Sequence, residues 1–101
     1  MQVMSIFAGY MTQQDFDRIR QALDSYHTWP GVYMFKFIVP GDHEKVAQVQ
    51  ALFNSKTAQI TSRSSSKGNF VSVTAREVMV SAEQVLEKYK EASKIEGLVA
   101  L

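Results

Sequence analysis

Residues that could do chemistry are few in this chain of 101. There is no cysteine, and His27 and His43 are the only imidazoles. Covalent catalysis needs a nucleophile within hydrogen-bond reach of a base, and neither histidine stands in a motif that supplies one. His27 adjoins the Trp29-Pro30 break. His43 lies between Asp42 and Glu44 at a helix start, where consecutive side chains point apart. Both are read as solvated or capping histidines. No His, Asp or Glu pair falls convincingly at the i, i+4 spacing of a helical metal site. No metal, cofactor or catalytic residue is therefore assigned, and the chain is expected not to be an enzyme.

Two features could bind rather than react. The run Ser62-Arg63-Ser64-Ser65-Ser66-Lys67-Gly68-Asn69 has hydroxyls, two cations and a glycine that could let backbone N–H groups converge on a phosphate or carboxylate. It lacks the leading glycine, the Gly-Lys-Ser/Thr order and the strand-to-helix setting of a P-loop, and an ordinary polar hairpin turn remains the alternative. Lys36 is the second feature, a lysine inside an apolar strand. It must either snorkel across an open sheet face or meet an anion.

The elements that must position these residues follow from periodicity. Phe16, Ile19, Leu23 and Tyr26 recur at helical intervals after the capping Thr12, so a helix is expected over Gln13–Ser25. Pro30 and Gly31 end that segment. A strand follows over Val32–Val39, with Tyr33, Phe35, Phe37 and Val39 on one face and Met34, Lys36 and Ile38 on the other. Asp42 caps a second helix, His43–Asn54, whose stripe is Val46, Val49, Leu52 and Phe53. Strands over Thr57–Ser62 and Asn69–Val80 flank the turn Arg63–Gly68 as a hairpin.

Ser81 and Gln84 have capping-box spacing ahead of a helix that buries Val85, Leu86, Tyr89, Ala92 and Ile95, and Gly97 stops it before a short strand over Leu98–Leu101. After the first helix the order is β-α-β-β-α-β. This is the α+β, ferredoxin-like arrangement of a four-stranded antiparallel sheet with two covering helices, here with an extra N-terminal helix. If Val71, Val73 and Ala75 face the helices, then Phe70, Ser72, Thr74 and Arg76 join Met34, Lys36 and Ile38 on the uncovered face. Such a mixed surface suits a dimer interface or a ligand platform.

Length and composition set the bounds. The chain is one domain's worth, and 46% apolar with 21% charged residues is the composition of a folding protein. Residues 1–11 are expected to be a disordered N-terminal segment and residues 12–101 a single domain. A net charge of +1 offers no global field for polyanions. Nothing approaches ~20 consecutive apolar residues, so no membrane span is expected. Without cysteine there is no disulfide framework, and the cytoplasm is the default location.

Lys67-Gly68-Asn69-Phe70-Val71-Ser72-Val73 resembles the third-strand signature of RNA-recognition motifs, one residue short. Those domains stack bases on aromatics from two central strands, whereas this face would offer Phe70 alone, so nucleic acid is a minor expectation. The stretch Ser64–Thr74 more closely resembles the YbeD-like family of small uncharacterised bacterial proteins, as does the Phe35-Lys36 strand ending at Gly41. The similarity spans about Phe16–Leu101, departs at the inserted Pro40, and carries over Lys36, Lys67, Gly68 and Asn69. It implies a fold similar to ACT-type regulatory domains, hence a regulatory or binding role. Because it begins just past Met11-Thr12, Met11 stands beside Met1 as a candidate translation start, which the mass of the endogenous protein distinguishes.

The resulting expectation is a non-enzymatic module, a homodimer through sheet edges or the open face, binding a small anionic ligand or a partner protein. Lys36 and Arg63–Asn69 are the candidate site. A scaffold domain without ligand and an RNA binder are the alternatives.

Overall fold

A computed structural model describes residues 12–101, and the expectations for residues 1–11 lie outside the described residues. The elements are α1 (Gln13–Tyr26), β1 (Gly31–Pro40), α2 (His43–Gln50), β2 (Gln59–Ser64), β3 (Phe70–Met79), α3 (Ala82–Ser93) and β4 (Val99–Ala100). The strands form one antiparallel sheet in the order β2-β3-β1-β4, the arrangement expected of a ferredoxin-like α+β domain with an added N-terminal helix.

Strict alternation in β1 builds the core. Phe35, Phe37 and Val39 are fully buried beneath the helices, and β3 adds Val73, Ala75 and Met79. Burying one such side chain contributes ~1.5–3 kcal/mol. Val49 and Phe53 bring α2 onto this layer, and Val85, Leu86, Tyr89 and Ala92 bring α3. Ile19 and Leu23 bury α1, which packs against α3.

Local chemistry sets the ends. Thr12 and Asp15 form a reciprocal capping box at α1. At α3 the Ser81 hydroxyl accepts from the Gln84 N–H, while the Gln84 side chain reaches back one residue further, to the Val80 N–H. Gly97, at φ +82°, supplies the left-handed residue after α3.

Several sequence-based boundaries are corrected. The second helix stops at Gln50 rather than Asn54, because the N–H groups of Leu52 and Phe53 tighten into i→i+3 bonds to Val49 and Gln50 that aim Phe53 at the core. The following strand is Gln59–Ser64 rather than Thr57–Ser62, since the N–H groups of Thr57 and Ala58 both bond to the Asn54 carbonyl. The last strand is two residues long, shorter than Leu98–Leu101. Tyr26 fits the helical period but is 80% exposed. The space above Tyr33 is filled instead by His27, whose ring centroid lies 5.1 Å away and stacks on Trp29.

Candidate functional site

Residues opposite one another in an antiparallel ladder share a face. The register therefore lays out the uncovered side of the sheet in rows: Val32 with Val78, Met34 with Arg76 and Gln59, Lys36 with Thr74 and Thr61, Ile38 with Ser72 and Arg63, Pro40 with Phe70. Val99 extends the Ile38 row, and Leu101 donates its N–H to the Lys36 carbonyl at 2.9 Å. The expected face residues Met34, Lys36, Ile38, Phe70, Ser72 and Thr74 thus lie together.

Among the described residues, most large apolar side chains exposed to water are on this face. Val32, Met34, Phe70, Val78 and Leu101 are between 43% and 64% exposed. Three cations stand among them, Lys36, Arg63 and Arg76, and no Asp or Glu belongs to any of the rows. Among the described residues none of the three has an ion pair or a side-chain hydrogen bond.

The cations of α1 and α3, by contrast, are paired. Arg18 and Arg20 on α1, Lys88 and Lys90 on α3 and Lys94 at its C-cap meet Asp15, Asp17, Glu77, Glu83, Glu87 or Glu91 within 4.0 Å. The one carboxylate of β3, Glu77, points to the helical side. There it accepts from the Thr57 hydroxyl at 3.0 Å and stands 4.0 Å from Lys88, whose ammonium also donates to the Leu52 carbonyl. A near-neutral chain is therefore sharply divided, with mixed charge over the helices and cations alone on the sheet face.

The serine-rich turn proves to be a self-contained hairpin. The Ser65 N–H donates to the Phe70 carbonyl at 2.8 Å, the Phe70 N–H to Ser65 Oγ at 3.1 Å, and the Gly68 N–H to the Ser65 carbonyl at 2.9 Å. Gly68 sits at φ +74°, and the Asn69 carbonyl accepts from the Gly41 N–H at 2.8 Å. These donors are engaged within the protein, which leaves them unable to converge on an anion. Gly41 is needed for the close approach, because a Cβ there would lie 2.0 Å from the Gly68 oxygen.

The structure divides the sequence-derived candidates. Arg63, Ser64 and Ser65 line a shallow depression of about 230 Å³ with Ile38, Phe70 and Ser72. Lys36 stands one row away, opposite Thr74. Ser66, Lys67, Gly68 and Asn69 form the tip of the turn and do not line the depression; Lys67 is exposed there without an ion pair among the described residues. Sequence reasoning placed Arg76 on the face without counting it in the site, and it missed Val32, Val78, Val99 and Leu101. The available signal was parity: each keeps step with Lys36 or Thr74 across a strand register.

His27 caps the end of α1 through its backbone N–H, and His43 opens α2 beside the capping Asp42. Among the described residues no group of three His, Cys, Asp or Glu side chains comes close enough to hold a metal ion. None of their helices is long and apolar enough to cross a membrane.

An open, cation-bearing sheet face on an α+β domain defines a class of surface rather than a reaction. The chain belongs to the family described as Protein of unknown function (DUF493), whose model matches residues 24–101. No curated protein and no solved structure is matched by the chain.

Proposed function

We propose that this chain is a non-enzymatic binding module whose working surface is the uncovered sheet face, where Lys36, Arg63 and Arg76 receive an anionic group. The observation that carries the reading is the presence of three unpaired cations on a face without a single carboxylate. Cations retained only for solubility are normally interspersed with acids. The YbeD-like resemblance agrees with this, since its ACT-like analogy implies effector binding.

Self-association of such a module runs through the exposed β2 edge. Face-to-face pairing about a two-fold axis would press like charges together, which is destabilising. RNA is a second reading, favoured only by Phe70, which is 53% exposed beside this cationic surface. A platform for bases needs more than one such ring. A scaffold without ligand is the remaining alternative.

A thermal-shift screen of wild type and the Lys36→Ala, Arg76→Ala double variant against amino acids, nucleotides, phosphates and short carboxylates tests the proposal. A ligand of the native state raises Tm by mass action. The expected result is an anion that stabilises the wild type and not the variant. Equal stabilisation of both would place binding elsewhere.

A further inference from the structure

We infer that the occupant of the uncovered face is an acidic amphipathic helix of a partner protein, an inference that rests on the binding-module reading and names its partner class. The first argument is spacing. Lys36 and Arg76 occupy adjacent rows of neighbouring strands, a diagonal of roughly 7 Å. Arg63 is two rows from Arg76 on the next strand, roughly 14 Å along the sheet. A small anion held by two of these side chains leaves the third free, whereas a partner with several carboxylates engages all three. Carboxylates one and two turns apart on a helix lie at ~6 and ~11 Å, within reach of long Lys and Arg side chains anchored at this spacing.

The second argument is chemistry. Val32, Met34, Ile38, Val99 and Leu101 lie on the β1 and β4 side of the face and Val78 and Phe70 at the two ends of β3, while Gln59, Thr61, Arg63, Ser72 and Thr74 fill the rest of the β2 and β3 side. A sheet buries an apolar strip most readily beneath a helix, as the opposite face already does beneath α2 and α3. An anionic bilayer would strip water from these hydroxyls and the amide without replacing their hydrogen bonds, whereas side chains of a protein can replace them. A second copy of the face is opposed by its own cations.

The third argument is size. Two central strands of ten residues with neighbours of six and two give a surface of roughly 450 Å². That is below the ~800 Å² per partner of a stable globular interface and is ample for three or four helical turns.

Fluorescence anisotropy tests the inference with a labelled peptide of about five helical turns, bearing a leucine stripe flanked by glutamates. The comparisons are its lysine-for-glutamate analogue and single-stranded oligothymidylate. The expected result is binding of the glutamate peptide with Kd below about 100 µM, weakened at least about tenfold in the Lys36→Glu, Arg76→Glu variant and in the lysine analogue. Circular dichroism of the variant separates lost binding from lost fold. Equal binding of both peptides, tighter binding of the oligonucleotide, or no binding overturns the inference. If a small anion stabilises the wild type in the thermal-shift screen while the peptide fails, only the helix inference falls; if neither binds, both readings fall.

Discussion

Phe35 shows how much one position carries. It is fully buried, with ring centroids of Tyr33, Phe53 and Tyr89 at 4.7–5.3 Å. Phe35→Ala is expected to cost ~3–5 kcal/mol in urea unfolding, as a cavity opens among rings that cannot collapse onto it. Nearby, the hydroxyls of Tyr33 and Tyr89 meet at 3.1 Å inside the core. Burial, then the neighbouring Tyr33 and its hydrogen bond, push the Tyr89 phenol well above its ordinary value of 10.0. In the unfolded chain that phenol ionises near pH ~10. Its contribution is thus complete below pH ~10 and is lost as the pH rises further. Unfolding followed from neutral to strongly alkaline pH should show that loss, and Tyr89→Phe should flatten it. Lys36 was conspicuous in the sequence because its neighbours are apolar, whereas Arg76, in the more polar run Thr74-Ala75-Arg76-Glu77, was not. Alternation put Arg76 on the same face as Lys36, and the ladder, which sets Arg76 against Met34 and turns Glu77 to the helices, puts it in the adjacent row.

The fold was readable from the β-α-β-β-α-β succession of elements, and both sheet faces from alternation, because β1 is fully buried at Phe35, Phe37 and Val39 and open at Lys36. What periodicity could not reveal were contacts between turns. The hairpin tip and the β1–α2 connection are held together by the Gly41 N–H on the Asn69 carbonyl, an approach that depends on residues far apart in the chain. Gly41→Ala should therefore destabilise by ~1–3 kcal/mol through a clash with backbone. Gly68→Ala should cost ~1–2 kcal/mol for a different reason: nothing lies within 4 Å of its Cβ, but its φ of +74° penalises any side chain. Comparing the two by urea unfolding distinguishes steric contact from conformational strain. The serine turn looked like an anion cradle because its composition suits one. The N–H groups of Ser65, Gly68 and Phe70 are instead bonded within the turn, because Ser65 closes the hairpin on Phe70 with both backbone and side chain.

Across the whole molecule the organising feature is the division of charge that a net value of +1 conceals. Helices α1 and α3 carry neutralised pairs, and the sheet face carries cations only. If those cations serve a partner, the isolated fold has no need of them. Their mutual repulsion at ~10 Å is worth only about 0.4 kcal/mol per pair in water. Salt should reduce even that. The decisive measurement is the urea unfolding free energy of the Lys36→Ala, Arg63→Ala, Arg76→Ala triple variant beside wild type. The account predicts a value equal to wild type or higher, within ~1 kcal/mol, as for exposed positions without native partners. A loss beyond ~2 kcal/mol would contradict it, because the three cations would then be holding the sheet together rather than waiting for an anion.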